Sequence, residues 1–243
     1  MPEFKINIVL PVYNEEKRLE SGLKQLIEYL KTAKFESYVI TIADNASTDK
    51  TRELAARFCK EDERIHYFKI CQKGLGIAFR EACRINTCPV IGYMDIDMST
   101  ELSAFIDMVQ IFQNNPGMDM VHASRYDRKS VLKGRTWLRD FVGYTLIALL
   151  KCTFKMKASD AICGFKFFKA ETVNRLLDKS GDEKGWFLII EMLLRAERDG
   201  CQITELPVTW TYDKNSKVKI ISTTANYIVN IIRLRKEFSD ERH

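Results

Sequence analysis

Residues 90–100 read VIGYMDIDMST. Five largely apolar residues run into two aspartates, Asp95 and Asp97, separated by one isoleucine. Such a run reads as a strand buried on both faces, the condition of strands in a parallel sheet covered by helices. Carboxylates at the end of a buried strand need a physical reason. On an extended chain, residues two apart point the same way. Two like charges would then repel, and at least one would be driven toward protonation. A divalent cation removes that penalty: Mg²⁺ or Mn²⁺ is commonly held by one or two carboxylates plus substrate phosphates. Two aspartates also serve simply as caps for a following helix, and the motif alone does not separate the two readings.

Working outward, KINIVL (5–10), YVITIAD (38–44), RIHYFKI (64–70) and MDMVHASRY (118–126) read as further strands. Between them lie helical patterns at 18–34, 45–60, 76–85 and 101–115, the last ended by Pro116-Gly117. In the first, Leu19, Leu23, Leu26, Ile27 and Leu30 share one face. Strand–helix alternation predicts an α/β fold, a mostly parallel sheet with helices on both faces. Ligands of such sheets bind beyond the carboxyl ends of the strands. The unusual residues sit there: PVYNEE (11–16) after the first strand, Asp44 ending the second, Lys73-Gly74 after the third, Asp95 and Asp97 at the fourth.

After Arg125 the pattern changes. Residues 134–157 read as a helix with an uncharged run from Phe141 to Leu150. Ten residues cannot span a bilayer, which needs ~20; the segment suits a core helix, an oligomer contact or an interfacial helix flanked by Lys and Arg. A loop at 158–168, helices near 170–179 and 187–199, a strand at 202–212 and an amphipathic helix at 222–237 follow.

The net charge of +5 is unevenly placed. Residues 125–169 hold eleven Lys/Arg against three Asp, a local +8, which leaves about −3 elsewhere. A basic segment in a mildly acidic body points to an anionic partner, phosphates or a membrane surface, or else is a solvated face. Nucleic acid is not expected, because the basic residues interleave with an apolar helix rather than with stacking aromatics. Seven cysteines lack C-x-x-C spacing and only three histidines occur. No zinc site or disulfide framework is expected. The opening MPEFKINIVLPVYNEE reads at once as structure, and the compartment is read as reducing and cytoplasmic.

The strand ends supply what a nucleotide needs. Asp44 can accept from a base N–H, Glu15 from base or ribose, and Tyr13 offers a stacking face. Lys73-Gly74-Leu75-Gly76 supplies a cation and a helix start suited to phosphate, or is only a tight turn.

The segments VLPVYNEE, ADNASTDKT, KGLGIAFREA, YMDIDMS, ASRY, DAICGFKFF and NSKV, in this order, resemble the family 2 inverting glycosyltransferases with a GT-A fold, and more closely the branch of dolichyl-phosphate mannose synthases and dolichyl-phosphate β-glucosyltransferases. The resemblance covers about residues 5–235; D-x-x-C-G-F-K at 160–166 and S-K-V at 216–218 are its more specific elements. It implies one GT-A domain over 1–243, with a nucleotide-sugar-binding half (1–125) and an acceptor and membrane-interface half (126–243). It further implies that Pro11, Tyr13, Glu15 and Asp44 bind the nucleoside, with Lys73 near the donor. Asp95 would touch ribose or diphosphate, Asp97 would ligate Mg²⁺ or Mn²⁺ with Asp95 beside it, and Arg125 and Arg139 would hold an acceptor phosphate. Three departures tilt the reading from mannose toward glucose transfer: Ser99 where a glutamine ligand is usual, Lys214 as the nearest cation before the late S-K, and Gly143 where a helix serine is expected.

A phosphate acceptor also follows from chemistry. An attacking alcohol needs a base, whereas a phosphate monoester, with a second pKa near ~6, arrives ionised. It needs cations, and bidentate arginine suits it. The expected activity is metal-dependent, inverting transfer of a hexose, glucose from UDP-glucose, to a polyprenyl phosphate at the cytoplasmic face of a membrane. Attachment is expected to be peripheral, through 135–157, the last helix, an oligomer or an integral-membrane partner. A hydroxyl acceptor would instead require Asp160 or Glu191 as base. Otherwise Asp160 orients the sugar or caps a loop, and Glu191 makes a helix-face salt bridge. A non-catalytic nucleotide- or nucleic-acid-binding module is the reading from a different class.

Overall fold

The alternating apolar runs fold as the periodicity demands. The computed structural model describes residues 4–134, 137–212 and 220–241, without the side chains of 138, 139 and 220–224. The first half contains β1 (Ile6–Val12), α1 (Leu19–Thr32), β2 (Tyr38–Asn45), α2 (Thr51–Glu61), β3 (Ile65–Ile70), α3 (Leu75–Arg84), β4 (Val90–Met94), α4 (Ser103–Asn114) and β5 (Met120–Ser124). Then follow β6 (Val131–Lys133), α5 (Trp137–Phe154), β7 (Phe165–Lys169), α6 (Ala170–Lys179), α7 (Phe187–Arg198), β8 (Ile203–Pro207), β9 (Thr209–Thr211) and α8 (Ile220–Asp240).

Seven strands form one sheet in the order β3-β2-β1-β4-β7-β5-β8. All its pairings are parallel except those of β7, which runs antiparallel to both β4 and β5. This is the mostly parallel α/β sheet expected. Helices α1, α2 and α4 cover one face, where Leu19, Leu23, Leu26 and Leu30 of α1 are fully buried. Helices α3, α5, α6, α7 and α8 cover the other. Strands β7 and β8, late in the chain, complete the sheet begun by the first half.

Three expectations are corrected. The segment 158–168, read as a loop, ends in β7, which lies between β4 and β5. Its residues Phe165 to Phe168 are all buried, Lys166 included. A central strand has no polar face, so no alternation marks it, and the lysine interrupts the apolar run. The strand read over 202–212 breaks after Pro207, which has no N–H for a ladder. Its second part, β9, pairs with β6, a short strand not anticipated. Asp95 and Asp97 lie beyond β4 rather than on it.

Candidate active site

Strands β2, β1 and β4 lie side by side, and the parallel register brings their carboxyl ends to one edge. Pro11 and Val12 pair with Ala43 and Asp44, so the marked residues of β1 and β2 are neighbours. At β4 the chain leaves the sheet after Met94 and turns at once, Met98 N–H donating to Asp95 O at 3.2 Å. The turn, not an extended strand, brings the two carboxylates together. Asp97 Oδ1 accepts from Ser99 N–H at 3.0 Å, and its Oδ2 lies 3.9 Å from Arg18 Nη1.

Asp95 is enclosed differently. Its N–H donates to Gly164 O at 3.2 Å. Its carboxylate lies so close to the Gly164 Cα that a Cβ there would fall 1.8 Å from Oδ2. Among the described residues no donor hydrogen-bonds that carboxylate. Burial, with the charge of Asp97 second, pushes its pKa up to about 8. A half-buried, under-solvated carboxylate beside a second one is the arrangement a hard divalent cation relieves. Asp95 and Asp97 are the two side chains here that could ligate such an ion. No group of three or more His, Cys, Asp or Glu able to hold a metal occurs among the described residues.

Behind Gly164 the 160–166 segment is held by its own side chains. Asp160, fully buried, accepts five N–H groups: Arg125 N at 3.0 Å, Arg125 Nε at 2.7 Å, Arg125 Nη2 at 3.1 Å, Ile162 N at 2.8 Å and Cys163 N at 3.2 Å. Burial opposes its charge, but the Arg125 guanidinium and these donors hold its pKa far below the usual carboxylate range. The partner shows the mirror effect: burial disfavours the Arg125 cation, and Asp160 more than restores it. Arg125 is thereby fixed at the end of β5, its guanidinium 5.5 Å from the Trp210 ring centroid and 5.4 Å from that of Tyr126. The Tyr126 hydroxyl fills the space beside Gly143, where a Cβ would meet it at 2.2 Å. Any side chain at 143 would have to displace it.

Lys166 is fully buried in β7, and Nζ donates to Cys163 O at 2.6 Å. Burial lowers its pKa, while Cys163, Asp160 and Asp95 act the other way. Lys166→Met removes the charged donor that closes this loop, leaving the Cys163 carbonyl only the Tyr93 hydroxyl at 3.4 Å, and is expected to cost about 1–3 kcal/mol, the worth of a hydrogen bond from a charged group. Urea unfolding measures it, and an unchanged midpoint would contradict it. His122, on β5 beside Lys166, is buried, and burial holds its pKa down to about 3, so it is neutral.

Asp44, Glu15 and Tyr13, expected at the nucleoside, are each engaged by other side or main chains of the protein. Asp44 is fully buried; Oδ1 accepts from Ser47 N–H at 2.8 Å and Oδ2 from the Tyr67 hydroxyl at 2.7 Å. Glu15 forms a bidentate pair with Arg18, both contacts at 2.7 Å. Lys73 Nζ sits over the Tyr13 ring, 3.6 Å from its centroid. The glycines after Lys73 answer to packing: a Cβ on Gly74 would fall 2.2 Å from Lys184 O, and one on Gly76 2.7 Å from Gly185 O. Carbonyl oxygens of the 183–185 segment back this turn and leave no room for a side chain at either glycine. Beside it a cavity of about 450 Å³ is lined by Lys73, Asp182, Glu183, Lys184, Trp186 and Tyr227, among others.

Glu191 makes the helix-face salt bridge. Fully buried in α7, it accepts from Gly181 N–H at 3.1 Å, from Arg195 Nε at 2.9 Å and from Arg233. Cys83, Cys88 and Cys163 are small core residues, but Cys71 and Cys152 are exposed. The Arg139 side chain, Lys214 and Ser216-Lys217-Val218 lie outside the described residues. Sequence reasoning missed Arg18, which carried a faint signal, an arginine three residues beyond Glu15; Gly164 and Lys166 fell within the marked 160–166 motif, but their roles show only in what they touch.

The family model described as glycosyl transferase family 2 matches residues 7–177. Glycosyltransferase AglD of Haloferax volcanii is 28% identical over 229 residues, 89% of this chain and 35% of that protein. The chain therefore spans about a third of that relative. The dolichyl-phosphate beta-glucosyltransferase of Dictyostelium discoideum is 28% identical over 242 residues, 95% of this chain and 73% of that protein. Among solved structures, glucosyl-3-phosphoglycerate synthase from Mycobacterium tuberculosis in complex with Mn²⁺ and UDP-glucose superposes with a TM-score of 0.68 at 17% identity, covering 96% of this chain and 79% of that one. At that identity it shows the shared fold, GT-A.

Proposed function

The chain belongs to glycosyl transferase family 2, and from that premise we propose that it transfers glucose from UDP-glucose to a polyprenyl phosphate, with inversion, as a peripheral protein at the cytoplasmic face of a membrane. The observation that carries the acceptor is the state of Asp160. Its oxygens are taken up by five N–H groups and its pKa is held down, so it is a poor proton acceptor. Glu191, the other candidate base, is occupied by Arg195 and Arg233. An alcohol would find no base in either, whereas a phosphate needs none. What Asp160 provides is an arginine locked in place, suited to an anionic nucleophile.

In this reading Arg125, with Arg139, orients the acceptor phosphate so that its oxygen attacks the anomeric carbon as the bond to the diphosphate breaks. Asp97 and Asp95 would hold a Mg²⁺ or Mn²⁺ there, which when bound neutralises the charge building on the departing diphosphate. Tyr13 stacks on the uracil once Lys73 leaves its ring and turns to the phosphates. Asp44 lines the base site, already oriented by Ser47 and Tyr67; Glu15 serves through Arg18, and Pro11 shapes the floor. The relatives support the class of acceptor, since the Dictyostelium protein is named for dolichyl phosphate and glucose. The fold neighbour supports the class of donor and ion.

A panel of nucleotide sugars, with short-chain prenyl phosphate and Mn²⁺ or Mg²⁺, tests the reading by product mass. Glucosyl prenyl phosphate from UDP-glucose is expected; transfer only to hydroxyl acceptors, or none with any donor, overturns it. Arg125→Lys keeps the charge but loses the planar fork. It is expected to raise KM for prenyl phosphate roughly tenfold, the loss of about one charge-assisted hydrogen bond, with KM for the donor unchanged. Equal effects on both would place Arg125 elsewhere than at the acceptor.

A further inference from the structure

The stretch between α5 and β7 has no ladder of its own, since α5 ends at Phe154 and β7 starts at Phe165. Its main-chain donors must find partners elsewhere. Four successive N–H groups in it are taken by two glutamates from other elements. Glu197 of α7 accepts from Lys157 N–H at 3.1 and 2.9 Å and from Ala158 N–H at 2.7 Å. Glu205 of β8 accepts, through Oε1, from Ser159 N–H at 2.7 Å, from the Ser159 hydroxyl at 3.1 Å and from Asp160 N–H at 3.4 Å. Both glutamates support the stretch, but only Glu205 touches Asp160, the residue that holds Arg125.

The stretch is tied from its other side as well. The Ser159 hydroxyl meets that of Ser124, whose Oγ accepts from Tyr126 N–H at 3.2 Å and Asp127 N–H at 3.1 Å. Residues on both sides of Arg125 are thus bound to the stretch that Glu205 carries. Among the described residues Glu205 has no lysine or arginine partner. The ring facing it is that of neutral His122, Nε2 3.5 Å from Oε1. Its bonds all go to Ser159 and Asp160.

We infer that Glu205 is a positioning residue for the acceptor, holding Ser159 and Asp160 so that Asp160 keeps the Arg125 guanidinium in one place. A functional group stays within the tolerance its chemistry needs only when the residues behind it are themselves locked. The inference rests on the reading of Arg125 as the acceptor's arginine, so the placement of the guanidinium is measured apart from turnover. What Glu205 supplies is reach and an acceptor oxygen. Glutamine keeps both, whereas aspartate keeps the charge and is one methylene too short.

Kinetics and NMR on the full chain test it. Glu205→Ala is expected to raise KM for prenyl phosphate about fivefold, the loss of one ordinary hydrogen bond, with KM for UDP-glucose unchanged. It should also speed hydrogen exchange at Arg125 Nε–H, a signal identified by its absence from Arg125→Lys. Glu205→Gln should return both readings to near the unaltered values and Glu205→Asp should not. The aspartate variant carries the test if the alanine variant does not fold. In the Arg125→Lys background Glu205→Ala should add nothing further, because both act at one group. Glu197→Ala strips the same stretch of partners for Lys157 and Ala158, and should lower the melting temperature without changing KM for prenyl phosphate. Unchanged exchange at Arg125 in the alanine and aspartate variants overturns the inference. So do equal losses for donor and acceptor, or a rise in acceptor KM with Glu197→Ala as large as with Glu205→Ala. Faster exchange without turnover in any form, the unaltered protein included, supports the positioning and counts against the proposed reaction.

Discussion

Asp95→Asn is expected to make the metal-free protein more heat-stable above pH 8 while removing its turnover. Burial and the neighbouring Asp97 raise the Asp95 pKa to about 8 in the folded chain, against ~3.9 for an unfolded aspartate. The folded state therefore binds this proton more tightly. Stability declines as pH rises from about 4, where the unfolded group ionises, to about 8, where the folded group does, and is then level. Asparagine fills the same space without the charge. The partial opening of the site to solvent reduces the full electrostatic value to roughly 2–3 kcal/mol, about 5–10 °C in a chain of this size. The gap in melting temperature should close as pH falls toward 4. Mn²⁺ should stabilise the unaltered protein and not the variant. Calorimetry at several pH values decides it: a gap independent of pH would mean that Asp95 is not a strained carboxylate.

Gly164→Ala is expected to remove activity through a residue with no chemistry of its own. The added Cβ would fall 1.8 Å from Asp95 Oδ2, 2.3 Å from Cγ and 2.6 Å from Oδ1. The backbone cannot easily yield. Asp95 N–H is bonded to Gly164 O, Asp160 holds the N–H groups of Ile162 and Cys163, and Lys166 holds Cys163 O. The carboxylate must therefore leave its place. Misplacing a group by about 1 Å can lower turnover ~100-fold, and here the displacement is larger, so a loss of at least that size is expected. Overpacking should add about 1–3 kcal/mol of destabilisation. Truncating the clashing partner provides the control. The Asp95→Ala, Gly164→Ala double variant should recover stability but not activity, a coupling that a double-mutant cycle reads directly. Additive losses would show that the two residues do not compete for one space.

The alternation of period-2 and period-3.6 segments made the first half legible, because each helix there must bury one stripe and each strand two faces. Leu19, Leu23, Leu26 and Leu30 are buried as their spacing requires. The edge that gathers the marked residues was legible for the same reason, since strand polarity in a parallel sheet sends every strand's carboxyl end one way. Strand β7 was not. A lysine inside a buried strand looks like a loop until the Cys163 carbonyl that accepts its hydrogen bond is in view.

The sequence by itself determined the α/β class, the identity of the clustered acids and the presence of an arginine suited to an anion, because these follow from residue type and spacing along the chain. Only the tertiary structure decided what those groups can still do. It committed Asp160 to Arg125, Glu191 to two arginines and Glu15 to Arg18, and it set Asp95, with no donor among the described residues, against a bare Cα. Proton affinity and free lone pairs depend on neighbours brought together from distant parts of the chain. A carboxylate's role is thus a property of its surroundings, and those are formed only when the sheet closes around β7.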